Sequence, residues 1–329
     1  MTIRILAATF GAAAGLAILA AGGPQALADH HIGVKVTPLG SHDGEFCQLD
    51  RALIFEDPDG TRVLYDPGRT VAGPDDPRLG KIDVILISHM HGDHFGDRHI
   101  GAAKQGPCSD LAFPVAATPN SNLLDIAKAK GAKVVAGSEM PGFLAPKLAA
   151  MGGNKDDVML ARFGAEQQVG GVKITTVPAV HSNGLSGAFI GGDLGKMLSD
   201  SGLNAYVGPP TGYVLTFSNG LVAWLSGDTG VTAEQETVVN RQYGAKLAVL
   251  NIGGTFTTGP VEAAFVVNEL VKPASVIASH ANEPATEGGK VKAGTKTETF
   301  MKTATMPVHV PLSGKTMTFG KDGICTDGC

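Results

Sequence analysis

The chain has 329 residues, of which 43% are hydrophobic and 17% charged, enough apolar material for one large folded domain and too much for a disordered chain. Its formal net charge is −5, with lysines scattered singly among acids, which excludes the clustered basic face of a nucleic-acid binder. Beyond the N-terminal segment, no stretch reaches the roughly 18 apolar residues that a membrane span requires.

Residues 1–28 read as a secretory signal. Arg4 supplies a short basic region, Ile5 to Ala21 is apolar, Gly22-Gly23-Pro24 breaks the run, and Ala26-Leu27-Ala28 is a small-residue cleavage pattern before Asp29. Cleavage there removes Arg4, making the remaining chain, residues 29–329, one unit more acidic. A periplasmic or secreted location is expected, with no membrane span after cleavage. The even count of four cysteines, Cys47, Cys108, Cys325 and Cys329, then suggests two disulfides. Three connectivities are open, and joining the close pair Cys325 and Cys329, which leaves Cys47 with Cys108, is the simplest.

The spacing predicts short strands at Val34 to Pro38, Ala52 to Glu56 and Arg62 to Tyr65, the last two joined by the turn Asp57-Pro58-Asp59-Gly60. Ile82 to Ser88 is a continuous apolar run, as expected of a strand buried on both faces. A helix over Asn122 to Lys130, stopped by Gly131, precedes a strand at Lys133 to Ala136. The second half follows a similar plan, with strands at Val172 to Val177, Tyr213 to Phe217 and Leu221 to Leu225. A helix near Thr232 to Tyr243, a strand at Leu247 to Asn251, a helix opening at Gly259-Pro260 and closing before Pro273, and a strand at Ser275 to Ser279 complete it. Two similar α+β halves, packed sheet on sheet with helices outside, are the expected architecture. Glycine-rich stretches at 183–195 and 281–294 read as long loops, and residues 183–210, following His181 directly, are expected to form a mobile wall over the functional site.

Three of the ten histidines fall within His89-Met90-His91-Gly92-Asp93-His94, immediately after the buried strand. Alternating ligands can turn His89 and His91 toward one ion while Asp93 and His94 face a second, with Gly92 permitting a tight backbone path. Imidazole and carboxylate suit zinc, manganese or iron. Three further candidates, His181, Asp228 and His280, each follow a predicted strand, and strand ends gather at one rim of a sheet.

This order of residues, His-x-His-x-Asp-His, a lone His, an Asp in Gly227-Asp228-Thr229, then a final His, resembles the metallo-β-lactamase superfamily from about Val34 to Phe319. Three stretches, Leu250 to Pro260, Val177 to Ser182 and Gly208 to Tyr213, are similar to a branch of metal-dependent hydrolases that includes ascorbate-phosphate-lactonase-like proteins. The resemblance implies a four-layer αββα fold and two divalent ions, zinc first, with manganese or iron as alternatives. His89, His91 and His181 would hold the first ion, Asp93, His94 and His280 the second, and Asp228 would bridge them. One departure is Ala281-Asn282, where the branch carries an aromatic residue after the last His. His42 lies close to where the branch has a histidine near the site, which leaves it either a supporting or a purely structural role. His30 and His31 belong to the new N-terminus, and His99 and His309 have no evident partners.

Two adjacent ions lower the pKa of a water between them and polarise the bond it attacks, so no protein nucleophile is required. Asp93 is the expected catalytic group, accepting a hydrogen bond from the attacking hydroxide and passing a proton to the leaving group. A serine mechanism lacks its Gly-x-Ser-x-Gly elbow, and Gly191 to Met197 has the wrong glycine spacing for a phosphate loop. The expected function is hydrolysis of an ester, lactone, amide or phosphoester in a small-molecule substrate. The alternatives are a di-iron redox protein and a non-catalytic metal-binding protein on the same fold.

Overall fold

The computed structural model describes residues 1–2 and 33–329; the expected signal segment and its cleavage site lie outside the described residues. Two mixed sheets are packed face to face. The first has eight strands, in the order Cys325–Asp327, Met317–Phe319, Val34–Pro38, Leu53–Glu56, Arg62–Tyr65, Val84–Ile87, Lys133–Ala136 and Val158–Leu160. The second has seven, in the order Val308–His309, Ser275–Ser279, Leu247–Asn251, Val222–Leu225, Thr211–Thr216, Val172–Pro178 and Glu166–Val169.

Alternation along the strands explains the layering, since successive side chains point to opposite faces. Phe55, Val63, Tyr65, Val84 and Leu86 meet Ile174, Tyr213, Leu215, Leu225 and Val249 in the core between the sheets. Their neighbours Ile54, Leu64, Ile85 and Ile87 face outward, onto the helices Asn122–Lys130 and Met140–Ala150. On the other side Val214, Trp224, Ala248, Leu250 and Val276 face the helical segments after residue 234. The result is the αββα arrangement expected from the sequence.

The Asn122–Lys130 helix has its expected bounds for identifiable reasons. Ser121 Oγ accepts from the Leu124 N–H at 3.1 Å, and Gly131 ends the helix in the left-handed conformation at φ 61°. Other segments correct the sequence reading. The helix expected near Thr232 to Tyr243 is a short π-helical segment, Gln235–Asn240, and the one opening at Pro260 is α-helical to Phe265 and π-helical over Val266–Val271. Residues 183–195 are not a loop: a short strand, Gly184–Leu185, leads into helices Gly187–Ile190 and Gly192–Asp200. Gly187 and Gly195 serve packing, because a Cβ on Gly187 would lie 2.2 Å from the Gly195 carbonyl oxygen. Residues 281–294 contain a small hairpin, Thr286–Glu287 against Lys290–Val291.

Cys47 is bonded to Cys108 and Cys325 to Cys329, the simplest of the three pairings. No helix among the described residues is long and apolar enough to cross a membrane.

The two sheets are tied by a polar bond inside an otherwise apolar interface. The buried Tyr213 hydroxyl lies 2.7 Å from the Ile87 carbonyl and 3.0 Å from that of Val135, on two neighbouring strands of the opposite sheet. Replacing Tyr213 with Phe removes the donor and should cost about 1–3 kcal/mol of stability in a urea titration. An unchanged midpoint and slope would show that this bond contributes nothing net.

Candidate metal centre

Chain direction gathers the functional residues at one rim. In the first sheet Arg62–Tyr65 and Val84–Ile87 run parallel, so Asp66 and the segment beginning at Ser88 emerge side by side. In the second, Val222–Leu225, Leu247–Asn251 and Ser275–Ser279 run parallel and deliver Asp228 and His280 to one end. Val172–Pro178 runs the same way, being antiparallel to Thr211–Thr216, and brings His181 with it. The expected His-x-His-x-Asp-His loop is irregular backbone over residues 89–91 followed by one helical turn, Gly92–Phe95. Gly92 is needed for space rather than for a left-handed conformation, because a Cβ there would lie 2.8 Å from the Asp97 carboxylate.

All seven sequence-predicted residues come together. His89, His91 and His181 offer one ligand atom each within 4.8 Å of one another, as do Asp93, His94 and His280. Asp228 stands between the two groups: Oδ2 lies 3.6 Å from His181 Nε2 and 3.1 Å from His280 Nε2, and Oδ1 lies 3.4 Å from His94 Nε2. His89 Nε2 and His91 Nδ1 face each other at 2.9 Å, and Nδ1 of the buried His280 has no hydrogen-bond partner. Converging imidazole nitrogens and orphaned buried polar atoms are what a divalent ion would satisfy, so this donor set fits a metal.

His91, Asp93, His181, Asp228 and His280 line a cleft of about 560 Å³, whose walls include Gln48, Leu49, Gly254, Phe256, Asn282 and Lys296, while His89 and His94 are buried. Residues 183–210 do not line it, contrary to expectation. Leu185, Phe189 and Val207 are instead buried with the outer helices of the first sheet, and the segment reaches the candidate ligands only through Asn183, whose Oδ1 accepts from the Met90 N–H. His42 is held by the Ser41 hydroxyl at 3.1 Å and does not line the cleft. His99 faces the Ile100 carbonyl at 2.7 Å, and His309 packs edge-on against Phe319.

Three important residues were not singled out from sequence. Asp66 Oδ2 lies 2.7 Å from His94 Nδ1 and accepts from the Ser88 hydroxyl at 2.6 Å, which fixes the His94 ring. An acid ending the strand beside the ligand-bearing one was the available signal. Arg51, two residues before the strand Leu53–Glu56, reaches the same rim because Leu53 pairs with Tyr65. Its Nη1 meets Asp93 Oδ2 and lies 3.1 Å from His94 Nε2. Lys296 Nζ donates to the Gly253 carbonyl at 2.6 Å and the Ala281 carbonyl at 3.2 Å, joining two cleft-wall segments.

Burial, followed by repulsion from His94, pushes His89 well below the ordinary histidine value. Burial and the neighbours His181 and His94 push His91 down to about 4. His181 is lowered by burial, and His280 by burial and by Arg51. His94 is the exception: burial opposes its charge, but Asp228, Asp66 and Asp93 outweigh that and raise it to about 10. Burial likewise opposes the charges on Asp228 and Asp93, yet both remain depressed, Asp228 through His94 and His280 and Asp93 through Arg51 first.

These directions set the pH dependence of the chelator-treated protein. Below pH 6.5 the unfolded chain takes up protons on His89, His91, His181 and His280 that the folded chain resists, so stability should rise from about pH 4 to 6.5. Above 6.5 the folded state retains a proton on His94 that the unfolded state loses, so this contribution declines toward pH 10. Urea unfolding at constant ionic strength should therefore give a maximum near pH 6.5, and a profile flat on both sides would contradict this account.

A family model described as a beta-lactamase superfamily domain matches residues 61–281. A protein of Thermococcus onnurineus named UPF0173 metal-dependent hydrolase is 34% identical over 234 residues, covering 69% of this chain and 80% of its own. A Cupriavidus metallidurans protein of the same name is 30% identical over 234 residues, covering 68% of this chain and 67% of its own. Among solved structures, Igni18, a metallo hydrolase from Ignicoccus hospitalis, shares the fold with a TM-score of 0.56 at 22% identity, over 87% of this chain and 98% of that one. With its two sheets, its ordered histidines and aspartates and these relatives, the chain belongs to the metallo-β-lactamase superfamily and, within it, to the family of metal-dependent hydrolases.

Proposed function

We propose that this chain is an exported hydrolase with a site for two divalent ions, zinc first, that cleaves an ester, lactone, amide or phosphoester in a small-molecule substrate. The observation that carries the reading is the convergence of two three-residue donor sets around Asp228 on the floor of an open cleft. Export is supported by the cleavage pattern before Asp29 and by two disulfides, which persist in oxidising compartments.

His89, His91 and His181 would hold the first ion and Asp93, His94 and His280 the second, with Asp228 shared. When bound, such ions lower the pKa of a water and polarise the bond under attack. The protein's own part is positioning. Asp66 and Ser88 orient His94, and Asn183 Oδ1 accepts from the Met90 N–H at 2.9 Å, fixing the backbone between His89 and His91. Asp93 lines the cleft and is held as a carboxylate by Arg51, so it accepts a hydrogen bond from the attacking water and carries a proton only in passing. Lys296 holds together the wall formed by Gly253 and Ala281, near where a substrate would lie.

Elemental analysis after zinc loading, with a panel of lactone, β-lactam, phosphodiester and carboxylic ester substrates, tests the reading. Asp93→Asn should lower turnover of the best substrate by about a hundredfold or more, the range for loss of a positioned acid or base, while the ion at His89, His91 and His181 remains. His91→Ala should weaken that ion instead. A zinc-loaded protein without metal, or Asp93→Asn at near-normal turnover, would remove the proposed mechanism.

A further inference from the structure

Arg51 places a permanent charge inside the metal centre. Its side chain is 2% exposed, and Nη1 meets both Asp93 Oδ2 and, at 3.1 Å, His94 Nε2. Those two atoms belong to the group that, with His280, would hold the second ion. Among the described residues no Lys or Arg forms an ion pair or hydrogen bond with His89, His91 or His181. A guanidinium does not lose its proton in proteins, so Arg51 cannot yield to an arriving cation as a protonated histidine does.

Nor is Arg51 free to swing away. The adjacent Asp50 carboxylate is buried and accepts from the Ser41 N–H at 2.9 Å and the Cys47 N–H at 2.8 Å, while Cys47 is itself bonded to Cys108. Arg51 Nε and Nη2 are buried with no hydrogen-bond partner, so leaving Asp93 would strand a buried charge without compensation.

Charge balance points the same way. Asp66, Asp93 and Asp228 are buried or nearly so around His94 and carry three negative charges when ionised. Arg51 permanently offsets one of them, which leaves less uncompensated negative charge for a second divalent ion to meet.

We propose that Arg51 makes the two metal positions unequal: one ion binds tightly at His89, His91 and His181, and the position at Asp93, His94 and His280 takes an ion only weakly because Arg51 already supplies positive charge there. This rests on the metal-hydrolase reading and deepens it. The site then works around one resident ion and one guanidinium, with a second ion entering only when the metal is abundant.

Zinc titration of the chelator-treated full chain by calorimetry, with elemental analysis after gel filtration, tests the proposal. The wild type should retain one ion per chain, with any second binding event at least about a hundredfold weaker, as expected when like charges meet within a few ångströms. Arg51→Met, which keeps an apolar stem without the charge, should retain two ions, whereas Arg51→Lys should stay close to one. His91→Ala should lose the tight event and His280→Ala should keep it, a comparison that does not depend on any Arg51 variant folding. Two ions of similar affinity in the wild type, or a folded Arg51→Met that still retains one, would overturn the proposal. Absence of zinc binding in every variant and in the wild type would instead overturn the metal reading, and the inequality with it.

Discussion

The interaction on which the rest of the centre depends is the demand of buried carboxylates for positive charge. Asp66, Asp93 and Asp228 surround His94, and each is held by groups that can donate or carry a proton. Burying carboxylates without partners would be prohibitive, so the protein must supply cations of its own or recruit them. The raised His94 and the buried Arg51 are the internal supply. The depressed His89, His91 and His181 remain neutral and keep their lone pairs for an ion.

The scaffold makes that concentration of charge tolerable by keeping it at an edge. Between the sheets the contacts are apolar, with Tyr213 as a hydrogen-bonded exception, and the polar groups begin where the parallel strands end. A metal centre placed one strand pair deeper would interrupt the packing of Tyr65, Leu86 and Leu225. At the rim, the same side chains are supported from below by rigid strands and open above to the cleft.

How much of this was legible in the sequence depended on whether the information was local. Strands such as Arg62–Tyr65, Lys133–Ala136, Leu247–Asn251 and Ser275–Ser279 were readable because apolar runs were bounded by turn residues. The cluster from His89 to His94 announced itself by spacing, and His181, Asp228 and His280 by following strands. Arg51 was illegible: a lone arginine between Asp50 and Ala52 looks like an exposed residue until the pairing of Leu53 with Tyr65 carries it to the rim. The helices Met140–Ala150 and Gly192–Asp200 were hidden by Pro141, Pro146 and closely spaced glycines, residues that normally punctuate loops; here Pro141 opens a helix, Pro146 sits inside it, and Gly195 allows close backbone contact. The short C-terminal strands Met317–Phe319 and Cys325–Asp327 lack enough alternating residues to stand out, and they exist because Val34–Pro38 offers an edge to pair with.

The Cys47–Cys108 bond spans 61 positions, and that interval contains Arg51, Asp66, His89, His91, Asp93 and His94. Every member of the centre contributed by the first half therefore lies on one covalent ring. Closing such a ring restricts the unfolded chain by about 4 kcal/mol in the chain-entropy model. A protease cutting once anywhere between the two cysteines would leave these six groups tethered to one another, so a nicked chain keeps this half of its candidate metal centre in a single molecule as long as the sulfur bridge survives.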